Sequence, residues 1–234
     1  MVHNKIKAGI RDGIPIGLGY FSVSFTFGML AVKSGISPFH AVLISLLNLT
    51  SAGQFAGLTV IVSGASLLEM ALTQLVINIR YALMSVSLSQ KLDESVKVRQ
   101  RLLIAYGNTD EIFAVASAKP GTVGKWYMYG LILIPVAGWV GGTLTGAVAS
   151  TLLPAAIISA LGVALYGMFI AIVVPVARES REVLLVVAAA LILSTAFYYL
   201  PVLKEISSGF SIIICTVAAA ALGACLFPVK EEET

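Results

Sequence analysis

Histidine, cysteine and charged residues are scarce in this chain. Among 234 residues there are two histidines, two cysteines and 12% charged side chains. Membrane metalloenzymes need clusters of histidine and glutamate, and a serine protease needs a histidine partner. His3 and His40 instead fall at the ends of apolar segments, and no GxxxxGK[ST] phosphate loop occurs. The sequence therefore predicts no enzyme, no metal and no other cofactor.

Apolar residues make up most of the chain. The hydrophobic fraction is 58% and the mean hydropathy is +0.96, values that soluble domains of ordinary composition do not approach. The net charge of +3 is spread over short loops, which reports orientation in a lipid bilayer and does not indicate nucleic-acid binding. We therefore expect an all-α polytopic helix bundle that is an integral membrane protein.

Apolar runs of membrane-spanning length recur along the chain. The strong segments are roughly 13–33, 40–63, 67–90, 127–149, 155–177, 183–200 and 208–227. A weaker segment, 102–118, is broken by Asn108, Thr109, Asp110 and Glu111. No long linker divides the chain, so 1–234 is interpreted as one transmembrane domain, with 1–120 and 121–234 as candidate repeat halves.

Lysine and arginine placement distinguishes two topologies. If all eight segments cross, the Lys91–Arg101 loop lies on the outside, which opposes the preference of basic loops for the cytoplasm. We favour about six crossings, with one of 40–63 and 67–90 re-entrant or half-length and 102–118 on the cytoplasmic side. The basic residues then placed inside are Lys5, Lys7, Arg11, Lys91, Lys97, Arg99, Arg101, Lys119, Lys125, Arg178, Arg181 and Lys230. Both termini are expected in the cytoplasm.

Arg80 is a charged residue within an apolar segment, about 15 Å along the helix from its cytoplasmic end. A charge at this depth needs a water-filled cavity or a partner, so it marks a functional site by default. The alternative is a structural pair with Asp110 or Glu111. Those two acidic residues could also form a proton-titrating pair or a solvated turn.

A polar stripe continues along the helix that carries Arg80. Its members, spaced to share one helical face, are Gln74, Asn78, Tyr81 and Ser85. The stripe either lines a site or joins helices by hydrogen bonds. By contrast, Glu69 follows Ser66 as in a capping box, which indicates a structural role. Glycines at 138, 142 and 146 favour close helix packing.

Residues 49–58 interrupt another apolar segment with small and polar residues, including Ser51, Gly53 and Gln54. Broken helices persist at membrane depth only where they are buried in protein or line a cavity. The N–H groups of a half-helix could bind a carboxylate there. The alternative is a tight helix crossing built on small residues.

Several short motifs, in order and at characteristic spacing, resemble the AzlC family. They are Gly13-Ile14-Pro15 with Gly19-Tyr20, Phe27-Gly28-Met29-Leu30-Ala31, Gly35-Ile36-Ser37, Ala52-Gly53-Gln54-Phe55, Gly64-Ala65-Ser66, Asn78-Ile79-Arg80 with Met84-Ser85, and Asp110-Glu111-Ile112-Phe113-Ala114. The resemblance implies the large subunit of a bacterial exporter of valine, leucine, isoleucine or analogues in the cytoplasmic membrane. It also implies a partner, a small AzlD-like membrane subunit.

The implied ligand allows roles to be assigned to the polar residues. Arg80, or the N–H groups of Ser51 to Gln54 with Gly53 between them, would bind the substrate carboxylate. Asn78, Gln54 or exposed carbonyls would accept the ammonium, with Tyr81 on the same face. Proton motive force is the expected driver because nucleotide motifs are absent, and Asp110 and Glu111 are the coupling candidates. The alternatives are a structural or assembly membrane protein, and a small-solute channel.

Overall fold

The fold consists of α-helices, in agreement with the expected polytopic membrane bundle. The computed structural model describes residues 5–154, 156, 167, 170 and 173–228. The helices with both ends in this part are α1 (Ile6–Lys33), α2 (Pro38–Leu47), α3 (Ser51–Val62), α4 (Leu67–Lys91), α5 (Val98–Tyr106), α6 (Asp110–Ser117), α7 (Lys125–Leu152), α8 (Arg181–Tyr199) and α9 (Ser208–Leu226). Five of them, α1, α4, α7, α8 and α9, are long and apolar enough to cross a membrane. The predicted crossing 155–177 lies mostly outside the described residues.

Contacts group the chain into two compact units. Unit 1 contains 1–54 and 78–162, and unit 2 contains 55–77 and 163–234. In unit 2, α8 and α9 pack together, with Gly223 against Val186. The single transmembrane domain and its repeat halves 1–120 and 121–234 stay a prediction.

Local sequence explains where several helices begin and end. Ser37 caps α2 by accepting a hydrogen bond from the backbone N–H of His40, and Pro38 occupies the first helical position. After α1 and α3 the chain turns at Gly35 and Gly64, whose φ angles are +90° and +67°. Such left-handed angles are readily adopted only by glycine, so these glycines define tight helix ends.

A parallel pair of helices, α1 and α7, forms the centre of unit 1. Contacts keep the same order along both helices: Gly9 meets Tyr127, Gly17 meets Gly138, and Phe25 meets Gly146. A Cβ atom on any of Gly138, Gly142 or Gly146 would overlap the backbone of α1. The predicted packing role of these glycines is confirmed.

The segment predicted as 40–63 is broken, as expected for a re-entrant element. α2 ends at Leu47, Asn48 is extended, and α3 begins at Ser51. The break lies beside the middle of α4, because Thr50 bonds to Asn78, while α3 ends only four residues before α4 begins. Because α3 leads back to the start of α4, α2 and α3 form a half-length hairpin. We call it hairpin 1.

The weaker segment 102–118 forms a second half-length hairpin, α5 with α6, here called hairpin 2. It follows a bridge between Leu92 and Val123, which places the end of α4 beside the start of α7. Its tip, 107–109, packs deeper, with Gly107 against Ile132 of α7. It then returns to Lys119, which pairs with Asp12 near the start of α1 at 2.7 Å.

These placements agree with the six-crossing topology. The Lys91–Arg101 loop begins at the same end of unit 1 as the starts of α1 and α7. In the eight-crossing topology that loop would lie at the opposite end. Asp110 and Glu111 occupy the first turn of α6 at the tip of hairpin 2, where Glu111 is exposed, so the solvated turn stays a prediction.

Candidate functional site

The break in hairpin 1 is organised by Thr50, a residue that the sequence reasoning did not assign to the site. Its hydroxyl accepts a hydrogen bond from the N–H of Gly53 at 3.3 Å and donates to Asn78 Oδ1 at 2.8 Å. Tyr81 donates to the same hydroxyl at 3.5 Å. Thr50 thus caps α3 and ties its first turn to α4. Its signal in the sequence was a threonine directly before a half-helix, a common capping position.

The first turn of α3 has N–H groups pointing away from the helix body. The N–H of Gln54 is the first to bond within the helix, to Thr50 O at 3.0 Å. The N–H groups of Ser51 and Ala52 therefore have no intrahelical acceptor. No acidic side chain occurs in this turn, so the positive end of the helix is not neutralised by its own residues.

Gln54 belongs to a group of side chains that we call the amide cluster: Ser45, Gln54, Trp139 and Thr143. Gln54 is 2% exposed, donates to Ser45 Oγ at 3.1 Å and accepts from Trp139 Nε1 at 2.9 Å. Ser45 and Thr143 share a further hydrogen bond of 2.7 Å. Both ends of the Gln54 amide are therefore engaged by protein, and the cluster joins α2, α3 and α7.

Charged residues gather at a second place in unit 1, the charged cluster of Arg80, Asp110 and Glu111. Arg80 pairs with Asp110 at 2.7 Å, and the two side chains are 52% and 43% exposed. The guanidinium also lies over the ring of Tyr81, 5.2 Å from its centroid. The structure thus brings Arg80, Asn78, Tyr81 and Asp110 together, and the structural-pair alternative for Arg80 with Asp110 is confirmed as a contact.

Tyr20 of α1 connects the two clusters. Its hydroxyl donates to Glu111 and lies 2.6 Å from Thr109 Oγ1, while its ring makes an edge contact with Trp139 at 5.3 Å between centroids. The sequence reasoning quoted Tyr20 only within a motif. Its role depends on a partner 91 residues away in the chain, so no local pattern could reveal it.

The tips of the two hairpins meet beside the charged cluster. Tyr106, at the end of α5, donates to the backbone oxygen of Leu46 near the end of α2. Asn108 donates through Nδ2 to Ser85 Oγ at 3.1 Å, whereas its Oδ1 is buried without a hydrogen-bond partner among the described residues. Ser85 of the predicted stripe therefore faces hairpin 2.

The stripe residue Gln74 and the acidic Glu69 belong to unit 2. Gln74 Nε2 would meet a Cβ placed on Gly57 at 3.1 Å. Ser66 accepts from the N–H of Glu69 at 3.2 Å, as the capping prediction requires. The Glu69 carboxylate instead caps α9, by accepting from Gly209 N at 2.8 Å and from the Ser207 hydroxyl. Glu69 therefore has a structural role at two helix ends.

A groove between helices of unit 2 has a volume of about 480 Å³. Apolar side chains line most of it, among them Val187, Leu191 and Phe197. The residues predicted to bind substrate do not line this groove. All of them lie in unit 1.

Comparison with known proteins agrees with the resemblance of the motifs. A family model described as AzlC protein matches residues 15–153. The "Inner membrane protein YgaZ" of Escherichia coli K12 is 34% identical over 191 residues, which cover 79% of this chain and 77% of the relative. An "Uncharacterized membrane protein" of Archaeoglobus fulgidus is 34% identical over 171 residues, 72% of this chain and 74% of the relative. No solved structure matches. The chain belongs to the AzlC family.

Proposed function

We propose that this protein is the large subunit of a secondary transporter that exports branched-chain amino acids, namely valine, leucine, isoleucine or analogues. The supporting observation is the meeting of two half-length hairpins beside the ion pair of Arg80 and Asp110. Helix breaks and charges at membrane depth are typical of transporter binding sites. Proton motive force supplies the energy, because the sequence has no nucleotide-binding motif.

The substrate carboxylate binds at the start of α3 in this proposal. Ser51 and Ala52 offer N–H groups that lack intrahelical acceptors, and Gly53 lets the substrate approach this turn closely. Arg80 provides the second anchor, on the neighbouring face of α4. Because Arg80 is already paired with Asp110, substrate binding there exchanges one carboxylate for another.

The ammonium acceptors follow from which polar groups are already engaged. Gln54 uses both ends of its amide within the amide cluster, and Asn78 Oδ1 accepts from Thr50. These two side chains therefore hold hairpin 1 in place. Tyr81 also contacts the break of hairpin 1, because its hydroxyl donates to Thr50. Among the described side chains at the tip of hairpin 2, Asn108 Oδ1 has no hydrogen-bond donor and offers a further acceptor, beside the exposed carbonyls of the break.

A small AzlD-like membrane subunit completes the transporter in this proposal. Arg80 and Asp110 are about half exposed in the single chain, and charged side chains at membrane depth do not face lipid. A second subunit that covers this face, or lines a water-filled path with it, removes the energetic cost of exposing these charges to lipid. Co-purification of the two proteins from membranes would support this pairing, and stable transport by the large subunit alone would contradict it.

The cytoplasmic membrane is the proposed location, with both termini on the cytoplasmic side. The printed name of the Escherichia coli relative is that of an inner membrane protein, and basic residues cluster at the end of unit 1 where α1 begins. Single cysteines at Asp93 and Gln100 test this orientation. They should resist an impermeant thiol reagent in intact cells and react once the cells are opened, whereas labelling from outside would reverse the orientation.

Efflux of labelled valine from loaded cells tests the function itself. Cells that express the chain with its AzlD-like partner should release valine faster than cells that express either protein alone. Saturable efflux that collapses with the proton gradient supports the transporter. Efflux that neither saturates nor depends on a gradient indicates a channel, and normal assembly without any efflux indicates a structural protein.

A further inference from the structure

Charge at the hairpin tips does not balance. With all three side chains ionised, Arg80 contributes one positive charge and Asp110 and Glu111 contribute two negative charges. Arg80 is committed to Asp110 at 2.7 Å, and no cationic side chain pairs with Glu111 in the described part of the chain. A single uncompensated negative charge at membrane depth favours binding of a monovalent cation or a proton.

Among the residues that the structure describes, no second cation is paired with Glu111. Tyr20 faces it from α1 as a hydrogen-bond donor, and Asp110 precedes it on α6. Two other cations of this region, Arg101 in α5 and Lys119 after α6, are engaged by the backbone oxygens of Val96 and Ser89 and by Asp12. From α4, Arg80 faces the tip, but its partner is Asp110.

An independent observation lies in the same tip. Asn108 is 3% exposed, and its Oδ1 has no donor although its Nδ2 is bonded to Ser85. A buried amide oxygen without a donor is costly, and a bound ligand, ion or water is one of the arrangements that satisfies it in native proteins. Between Asn108 and Glu111, Thr109 shares the hydroxyl of Tyr20 with Glu111. The tip therefore offers two acceptors with one negative charge.

We propose that the α-ammonium of the substrate and a proton compete for Glu111, with Asn108 Oδ1 as the second acceptor of the ammonium. This inference rests on the proposed export function and names the coupling step of the same site. An ammonium carries one positive charge and three N–H donors, which matches one carboxylate and one amide oxygen. Tyr20 positions the carboxylate by its hydrogen bond.

Competition at one carboxylate couples the export of the amino acid to the entry of a proton. On the side where substrate enters, the ammonium docks at Glu111 and the carboxyl proton passes to water. On the other side the amino acid leaves and the carboxylate takes a proton from water before the site turns back. Since substrate and proton do not occupy Glu111 together, the cycle exchanges one for the other. Proton entry then drives amino-acid export.

Valine transport by the full chain with its AzlD-like partner in proteoliposomes tests this competition. The apparent KM of the unaltered protein should rise as pH falls, by up to about tenfold per pH unit where the carboxyl protonates. Glu111→Gln should raise KM more than about tenfold and remove its dependence on pH. The matched control Glu94→Gln, in the exposed loop after α4, should leave both KM and its pH dependence unchanged.

A second pair of variants isolates the Asn108 oxygen. Asn108→Ala removes the oxygen together with the bond to Ser85, whereas Ser85→Ala removes only that bond. KM should rise several-fold in Asn108→Ala with its pH dependence retained, and should change little in Ser85→Ala. The 2-oxo acid of valine, which lacks the ammonium, should not be transported. Equal effects of the two variants would overturn the role of Asn108.

The outcomes separate this inference from the proposed function. The competition is overturned if valine transport is saturable but its KM does not depend on pH. It is also overturned if Glu111→Gln retains the pH dependence. Neither result contradicts the export function. No saturable valine transport by the unaltered protein overturns the export function itself. If Glu111→Gln fails to accumulate, Glu111→Asp replaces it. That variant keeps the carboxylate and should retain the pH dependence with a raised KM, and a lost dependence contradicts the proposal.

Discussion

The amide cluster and the charged cluster lie in the same unit and are connected by Tyr20, yet they differ in how their polar groups are satisfied. In the amide cluster, the Gln54 amide is bonded at both ends by side chains of other helices. In the charged cluster, Glu111 has no paired cation among the described residues, and beside it in the tip of hairpin 2 the Oδ1 of Asn108 has no hydrogen-bond donor there. Polar residues at membrane depth can thus be sorted by whether the protein itself completes their bonding.

With the proposed export function, this contrast predicts that the amide cluster serves assembly and the charged cluster serves transport. Four substitutions, one in the α1–α7 packing and three in or between the clusters, test this prediction through the stability of the folded protein and the transport kinetics. The effects are expected to decrease in the order given.

Gly142→Ala should have the largest effect, because its Cβ would overlap Phe21 O and Ser24 Oγ on α1. Backbone cannot move as a side-chain end does, so we expect a destabilisation of at least about 3 kcal/mol and little folded protein. Thermal unfolding in detergent and the membrane protein level measure this. The neighbouring Gly141→Ala meets no atom within 4 Å and should be neutral or more stable by up to about 1 kcal/mol. Equal behaviour of the two variants would contradict the α1–α7 packing.

Arg80→Gln should reduce valine efflux at least about tenfold while the protein still accumulates, because a site with two carboxylates and no cation repels the substrate carboxylate. Partial exposure of the ion pair limits the loss of stability. Resistance to a toxic valine analogue and the membrane protein level should be measured together. Arg80→Gln with Asp110→Asn serves as the charge-balanced control, which should accumulate normally without regaining transport. Normal levels and normal resistance in the single variant would remove Arg80 from the site.

Gln54→Leu should lower stability by about 1–3 kcal/mol, because Trp139 Nε1 and Ser45 lose a buried partner. The KM of the surviving protein should stay within about twofold, since both ends of the amide face protein. Gln90→Leu, near the exposed end of α4, controls for the loss of an amide. A large change in KM with unchanged stability would place Gln54 in the substrate site. It would contradict the structural role of the amide cluster.

Tyr20→Phe should have the smallest effect, because it keeps the ring against Trp139 and removes only the hydroxyl bonded to Glu111. We expect a stability change of about 1 kcal/mol or less. KM should rise a few-fold, because the carboxylate loses the donor that positions it. Thermal unfolding and transport kinetics on the same preparation check both values. A stability loss as large as that of Gln54→Leu would show that Tyr20 belongs to the amide cluster.

The sequence alone predicted those features that arise from local physics. The break near Ser51 follows from small and polar residues within an apolar run, and the glycine packing follows from spacing by four. The energetic cost of a charge at membrane depth singled out Arg80. The distribution of lysine and arginine among the loops predicted the half-length segment. Each of these signals is confined to one helix or loop, so no partner had to be known.

Apart from the pair of Arg80 with Asp110, which was one of the alternatives, the contacts that join distant segments were not predictable from the sequence. The bond from Trp139 to Gln54 spans 85 residues, and the bond from Gly209 to Glu69 spans 140. Nothing in the composition of α5 indicated that Tyr106 would reach Leu46. Side chains such as Gln54 and Asn108 are equally polar in a sequence. Only their partners in the structure show that the Gln54 amide is bonded at both ends and that Asn108 Oδ1 has no donor among the described residues.

The parallel pairing of α1 with α7 has a consequence for how the protein is made. The glycine contacts join residues about 120 positions apart, such as Gly17 and Gly138. The ribosome therefore needs on the order of 10 s after α1 to complete the synthesis of its partner α7. During that time, both hairpins are already in the chain while the helix that buries their polar tips is still missing. Nascent chains that end before Lys125 should therefore depend on an insertase or chaperone that shields these tips from lipid.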